Sequence, residues 1–330
     1  MTIPPYFSIV VPVFNEAGNL AELHRRLVEV FAGVGAPFEL ILVDDGSSDG
    51  SLEVMRQLAQ RDPAVKFLSF SRNFGHEAAS TAGLDAAWGQ AVVLMDGDLQ
   101  DPPELIPQLI AKWREGYEVV YAQRRGRAAE PVVVRATSFL FYRLMKRLTA
   151  VDIPLDTGDF RLLDQRVVAD FRRCRERNRF VRGLLSWVGY RQSAVRFDRE
   201  ERRAGKTKYN SLRRLFLAFD AITGFSVMPL RLSLLLGFMV VILSLAAGLY
   251  VTVQKLYFDI PIPGYAFLTV SLYFLGGSML FVMGIIGEYI GKIYIEVQQR
   301  PLYLLREKSG MTGLDTPEER QAEHGARAEW

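Results

Sequence analysis

Asp96, Asp98 and Gln100 stand at alternate positions in the run Leu94-Met95-Asp96-Gly97-Asp98-Leu99-Gln100-Asp101-Pro102-Pro103. Residues 91–95 ahead of them are apolar and few, as in a buried parallel strand, and the acids and prolines that follow stop any regular element. Alternate residues of an extended chain face one side. The spacing therefore aims both carboxylates at one point, with the Gln100 oxygen in the same register. Such an oxygen set suits Mg²⁺ or Mn²⁺, whose remaining positions are filled by water and by phosphate oxygens. The chemistry indicated is that of a diphosphate substrate. The same acids would also serve as caps for a helix starting near Glu104, and D-x-D alone does not separate the two readings.

The elements that must position these acids are repeated strand-loop-helix units. Residues 7–13 form a β-rich run that ends at Asn15-Glu16, after which Leu20, Leu23, Leu27, Val30 and Phe31 recur at helical spacing. Residues 39–43 make a second strand, ending at Asp44-Asp45-Gly46-Ser47-Ser48-Asp49, with a helix over 52–59 that Ser48 or Asp49 would cap. A third strand over 65–71 leads through Arg72 to His76 into a helix over 77–88, and the strand before Asp96 is the fourth. A fifth covers 117–122. Strand-helix alternation implies an α/β fold, a mostly parallel open sheet with helices on both faces, whose ligands bind beyond the carboxyl ends of the strands. Each polar cluster lies at such an end. Neither G-x-G-x-x-G after the first strand nor G-x-x-x-x-G-K is present, so a dinucleotide fold and a phosphate-loop ATPase are not supported.

Beyond the fifth strand come Arg124, Arg125, Arg127, Arg135, Ser138, Tyr142 and Arg143, a basic and aromatic mixture that suits an anionic headgroup near a membrane. Asp159, in Thr157-Gly158-Asp159-Phe160-Arg161-Leu162 after a turn, invites the role of general base. A phosphate monoester has a second pKa near ~6, so an acceptor of that kind needs no base, and Asp159 reads better as an organiser of arginines or sugar. A helix N-cap or a surface turn is the plainer alternative. The charged run 199–208 contains Arg202 and Lys208, and reads either as a solvated loop or as a flap over phosphates.

The 330 residues are 49% apolar and 23% charged, which accommodates one large or two modest domains. One cysteine, Cys174, excludes an internal disulfide framework, and with three histidines there is no zinc-type cluster. A net charge of +3 does not indicate nucleic-acid binding. The first residues lack the pattern of a secretory leader, so the N-terminal domain is expected in the cytosol. Residues 211–229 read as an interfacial amphipathic helix closed by Pro229, and 232–253 and 264–287 as two spans. Arg213, Arg214, Arg231, Lys292, Arg300, Arg306 and Lys308 flank the outer ends, which places both termini in the cytoplasm. The expected organisation is a nucleotide-sugar domain over 1–210, the interfacial helix over 211–229, a membrane hairpin over 230–290, and over 291–330 a juxtamembrane segment with a tail that reads as disordered beyond Pro301.

The motifs P-V-F-N-E at 12–16, V-D-D-G-S-S-D at 43–49, S-R-N-F-G-H at 71–76 and D-G-D-L-Q-D-P-P at 96–103 together resemble the family 2 glycosyltransferases. More narrowly the chain is similar to the polyprenyl-phosphate glycosyltransferases, over residues 7–305. The resemblance implies a glycosyltransferase A-type fold and metal-dependent, inverting transfer of a sugar from a nucleoside diphosphate sugar, UDP-linked by preference, to a polyprenyl monophosphate. It assigns Pro12, Glu16, Asp44 and Asp45 to the nucleotide, Asp98 and Gln100 to the metal, and Asp96 to both. Arg124, Arg127, Arg135 and Ser138, with Arg202 and Lys208 of the flap, fall where such enzymes hold the acceptor phosphate, and Asp159 lies in their acceptor-side acidic motif. An integral protein of a bacterial inner membrane and a homotetramer are implied in the same way. A processive polysaccharide synthase would share the nucleotide motifs, but the Q-x-x-R-W motif is missing. A membrane scaffold that binds nucleotide-sugar without turnover is the alternative from outside enzymology.

Overall fold

All seven residues of the strand Phe7–Val13 are buried, so this strand demands a helical layer on each face. The computed structural model describes residues 5–124, 157–197, 228–258 and 264–311. Among them the strands are β1 (Phe7–Val13), β2 (Phe38–Asp44), β3 (Val65–Phe70), β4 (Ala91–Leu94), β5 (Val119–Arg124), β6 (Thr157–Asp164), β7 (Gln192–Phe197) and β8 (Leu305–Ser309). They form one sheet in the order β7-β5-β6-β4-β1-β2-β3-β8. β1 pairs in parallel with β2 and β4, β2 with β3, and β5 with β7, while β6 and β8 run against their neighbours.

The helices in the same unit are α1 (Ala17–Val34), α2 (Ser51–Arg61), α3 (His76–Ala86), α4 (Ile106–Arg114), α5 (Gln165–Arg173) and α6 (Val181–Trp187). Leu20, Leu23, Leu27 and Phe31 of α1 and Met55 of α2 join Leu109 of α4 in a core against Ile9, Val11 and Val13. Each such buried side chain contributes about 2 kcal/mol. On the other face α3 packs on β1 and β2 through Ala79, Ala82 and Gly83. A Cβ at Gly83 would stand 2.2 Å from Val10 Cγ1, so only glycine lets α3 lie this close to the sheet.

Pro12 explains why β4 is short. Val10 O accepts Met95 N–H, and the next outward position of β1 on that side is Pro12, which has no N–H to offer. The ladder closes there, and the chain departs from the sheet at Met95-Asp96.

The parallel core of β1 to β4 matches the sequence expectation, whereas β6, β7 and β8 were not legible. Residues 119–124, two further along than the 117–122 expected, form β5. The segment beyond Pro301, expected to be disordered, contributes β8 at the sheet edge. Leu305 alone in that strand is buried, so its polar composition hides it. It is fastened by Ser71 N–H to Leu304 O at 3.0 Å, by Tyr303 stacked on Phe70 at 5.2 Å, and by Arg56 forked onto Glu307. Tyr303 OH also donates to Asp85 Oδ2 at 3.0 Å. Ending the chain after residue 302 should therefore destabilise the sheet unit by about 2 kcal/mol, because the cross-strand pairs with β3 and the stacking of Tyr303 on Phe70 would go. A thermal melt followed by near-UV circular dichroism checks this, and an unchanged midpoint would show that β8 adds nothing.

The chain divides into two compact units, and the second holds the long helices α7 (Met228–Phe258) and α8 (Tyr265–Val297). Both are long and apolar enough to cross a membrane, over Leu230–Tyr250 at mean hydropathy 2.5 and over Ser271–Val297 at 1.5. Leu234, Leu245 and Leu280 are each at least 70% exposed, on helices that are apolar all round. Pro229 lies in the first turn of α7, where the missing N–H costs nothing. The expected interfacial helix up to residue 227 lies outside the described residues.

Candidate active site at the carboxyl rim of the sheet

The loops that follow β1 and β2 are laced together by short polar side chains. Asn15 N–H donates to Ser47 Oγ at 3.0 Å and Ser48 N–H to Asn15 Oδ1 at 2.9 Å. Glu16 N–H donates to Ser51 Oγ at 3.0 Å, and Ala17 N–H to Asp49 Oδ2 at 3.1 Å. Asp49, the residue before the Gly50 N-cap, also accepts the Ser51 amide and hydroxyl, so it binds the first residue of α2 while holding the start of α1. Burial would raise its pKa, but these hydrogen bonds outweigh it and lower it. Asp44 is 2% exposed, accepting the Ser47 amide at 2.9 Å and the Ser69 hydroxyl at 2.8 Å. Asp45 accepts the Phe74 and Gly75 amides at 2.6 and 3.1 Å, and burial still leaves its pKa raised. Both acids expected at the nucleotide thus also shape the rim, with Asp45 fixing the loop that delivers His76. Pro12 is buried, and Glu16 is bonded to Asn19 Nδ2.

Gly46 lies between the β2 turn and the loop after β3. Its φ is 71°, and a Cβ there would come within 2.7 Å of backbone atoms of Arg72 and Asn73. Gly46→Ala should cost about 2 kcal/mol of stability, from left-handed strain plus displaced backbone. Affinity for the nucleotide expected at this rim should fall with it, because the Asp45-held loop must shift. Thermal midpoints and binding isotherms of the variant check both outcomes.

The register of β6 decides the centre of the site. Leu94 pairs with Arg161 in the antiparallel β4–β6 ladder, so continuing that register by two residues sets Asp159 opposite Asp96. Asp159 is neither a cap nor a turn acid: it lies inside a strand and is 5% exposed. Arg182, the second residue of α6, grips it with two parallel bonds, Nε to Oδ1 at 2.6 Å and Nη2 to Oδ2 at 2.8 Å. His76 Nε2 stands 3.1 Å from Asp159 Oδ2 and 3.7 Å from Asp96 Oδ1. Arg161 lies beneath, 4% exposed, donating to the carbonyls of Gly158 and Asp159.

These contacts set the charges. Burial pushes the Asp159 carboxyl up, but hydrogen bonds from Arg182 and His76 overcome this and hold it well below the usual carboxylate range. Burial would lower the His76 pKa, yet the bond to Asp159 and the charges of Asp96 and Asp159 lift it to about 9. Asp96 is pushed up by burial and by Asp159 and Asp98, against the pull of His76. Burial brings Arg161 down to about 10.

The D-x-D segment differs from the strand expected of it. β4 stops at Leu94, residues 97–99 form a turn, and Leu99 has φ 59°. Alternation along a strand therefore does not orient Asp98 and Gln100. Asp98 is half-buried, its Oδ1 accepting the Gln100 amide at 3.1 Å, and Gln100 is 5% exposed. His76, Asp96 and Asp159 each offer a ligand atom within 4.8 Å of one another. With both Asp159 oxygens taken by Arg182, a hard cation fits better on the Asp96 side, where Asp98 adds the charge that pushes the Asp96 pKa up.

Arg124 ends β5, while Arg127, Arg135, Ser138, Arg202 and Lys208 lie outside the described residues. Sequence reasoning missed the part played by His76, Arg182, Arg161 and Glu77. His76 closes the S-R-N-F-G-H motif, a signal that was available, whereas Arg182 carries none.

A family model for glycosyl transferase family 2 matches residues 8–172. The uncharacterized glycosyltransferase YkcC of Bacillus subtilis is 47% identical over 308 residues, 92% of this chain and 94% of its own. The SfII prophage-derived bactoprenol glucosyl transferase of Shigella flexneri is 42% identical over 299 residues, 91% of this chain and 97% of its own. A prophage bactoprenol glucosyl transferase homolog of Escherichia coli is 40% identical over 299 residues, again 91% of this chain and 98% of its own. With acids gathered at the carboxyl rim of a mixed α/β sheet and likeness that runs through both units, the chain is a glycosyltransferase and belongs to glycosyl transferase family 2.

Proposed function

We propose that this enzyme moves a sugar from a nucleoside diphosphate sugar, UDP-linked by preference, to a polyprenyl monophosphate at the cytoplasmic face of a membrane. The observation that carries the reading is the 42% identity to a bactoprenol glucosyl transferase across 91% of the chain, which includes both apolar helices.

In this reaction an oxygen of the acceptor phosphate attacks the anomeric carbon. The bond from that carbon to the diphosphate breaks, and its electron pair leaves with the nucleoside diphosphate. One displacement inverts the centre. The acceptor's second pKa lies near ~6, so it arrives largely as a dianion and no side chain has to take a proton. Asp96 and Asp98, with the oxygen of Gln100, would hold a divalent cation, Mg²⁺ or Mn²⁺, which supplies charge neutralisation on the departing diphosphate. Pro12, Glu16, Asp44 and Asp45 border the base and ribose, and the two Asp44 oxygens, each accepting one bond within the rim, keep a second lone pair for the ligand, whereas Asp45 Oδ1 already accepts the Phe74 and Gly75 amides. Arg124, Arg127, Arg135, Ser138, Arg202 and Lys208 clamp the acceptor phosphate. The helices α7 and α8 cross the bilayer as a hairpin with both chain ends in the cytoplasm.

Membranes carrying the protein, incubated with radiolabelled nucleotide-sugars and undecaprenyl phosphate, test the reading. Radioactivity in the organic phase supports it. High-molecular-weight polymer would indicate a synthase, and binding without product would indicate a scaffold. The donor that labels the lipid names the sugar.

A further inference from the structure

Two helix starts meet at Asp159. His76 and Glu77 open α3, and Val181 and Arg182 open α6. Val181 N–H donates to Glu77 Oε2 at 2.8 Å, which ties the two starts to each other. Their neighbours, His76 and Arg182, both reach the Asp159 carboxylate, at 3.1 Å and through the two-point fork. Arg182 Nη1 also donates to Thr157 O at 3.3 Å, so the guanidinium is bound to β6 through three nitrogens. The loop before His76 is held from the opposite side by Asp45. His76 Nε2 is thereby left at one place, between Asp159 and Asp96.

We propose, on the reading above, that Arg182 is a positioning residue for sugar transfer: by gripping both oxygens of Asp159 it makes that carboxylate a fixed anchor for His76 beside Asp96, and not a proton acceptor. Accepting a proton on either oxygen would break one arm of the fork and leave a half-buried guanidinium half-paired, a cost that a lone surface acid does not carry. The acceptor supplies its own negative oxygen, so the reaction does not ask for that proton transfer. Instead, the anchor keeps the His76 ring beside Asp96, with Nε2 at 3.7 Å from Asp96 Oδ1. A geometry held this tightly is lost by any side chain that cannot form the fork, lysine included.

The full-length chain provides the test. Arg182→Ala should lower kcat about a hundredfold with KM for the nucleotide-sugar within about threefold, as expected when positioning and not ground-state binding is lost. Guanidinium ion at millimolar concentration should restore about tenfold or more of the lost rate, where sodium or methylammonium does not, because only the planar fork matches the vacated carboxylate. Arg182→Lys should stay well below wild type despite its charge. The chain has three histidines, so ¹⁵N-histidine spectra are readable without turnover. The His76 Nε2 resonance should move in Arg182→Ala and in Asp159→Asn, while that of His24 stays in place. An Arg182→Ala enzyme with near-normal kcat, or an unmoved His76 resonance, would overturn the proposal. A wild type that makes no lipid-linked sugar, with the His76 resonance still displaced in the two variants, would instead sink the reading of the substrate and leave the anchor standing.

Discussion

Asp98→Asn should reduce lipid-linked sugar formation by about a thousandfold, or ~4 kcal/mol of transition-state stabilisation, if the cation is held as proposed. The substitution is chosen for its shape. An asparagine side chain keeps a carbonyl oxygen in the place from which Asp98 Oδ1 accepts the Gln100 amide at 3.1 Å, so the turn over residues 97–99 is preserved while one negative charge is removed. The Asp96 carboxyl, now raised in part by Asp98, would lose that repulsion and also lose its partner for a divalent ion. The protein should still insert into membranes and melt within a degree or two of wild type. Activity in excess Mn²⁺ should recover only in part, because the deficit is in donor charge. A variant that transfers sugar at a near-normal rate would refute the assignment of Asp98 to the metal.

Glu39→Ala should destabilise the sheet unit by about 3 kcal/mol, with a midpoint lowered by roughly 6–12 °C. Glu39 is 2% exposed at the amino ends of the strands, opposite the active rim. It accepts the Ser8 hydroxyl at 2.5 Å and the Trp88 amide at 3.0 Å, and pairs with Lys66 Nζ at 2.6 Å. Ser8 Oγ in turn accepts the Gly89 amide at 2.8 Å, so the entry into β4 hangs on the same acid. Alanine would leave a hydroxyl and an ammonium without their acceptor, and the Trp88 amide with Ser8 Oγ alone, at 3.2 Å. The Lys66 side chain is 24% exposed and regains some water, which keeps the cost at the lower end of the range for a broken buried pair. Lys66→Met together with Glu39→Leu should cost less than the two single changes summed. Since no group of the carboxyl rim is touched, kcat measured well below the midpoint should not change. A loss of activity without a loss of stability would contradict this division between the two ends of the sheet.

The parallel half of the fold was legible because β1 to β4 and the helices between them are locally encoded: apolar runs end in polar clusters, and Leu20, Leu23, Leu27 and Phe31 mark the buried stripe of α1. The other strands were hidden for separate reasons. β6 carries Asp159, Arg161 and Asp164, charges that belong to a loop unless partners on distant segments neutralise them. β8 is polar because it lies at an edge, and only its pairing with β3 makes it a strand. Asp44, Asp45 and Asp49 are recognisable as rim acids from their place after a strand, but their bonds to Ser69, Phe74, Gly75 and Ala17 depend on loops from other strands meeting there.

Asp96 shows where the boundary falls. The sequence by itself determined that acids follow the fourth strand of a parallel α/β core, that nucleotide-type clusters share its rim, and that two apolar helices follow. Those are properties of residue type and short-range spacing, which the chain carries wherever it is. Only the tertiary structure decided that Asp96 faces His76 and Asp159, with Arg182 behind them, and that the D-x-D segment turns instead of running on as a strand. The antiparallel insertion of β6 between β4 and β5 brings position 159 opposite position 96. Strand order and direction are set by burial and ladder pairing across the whole sheet, and no local pattern of residues records them.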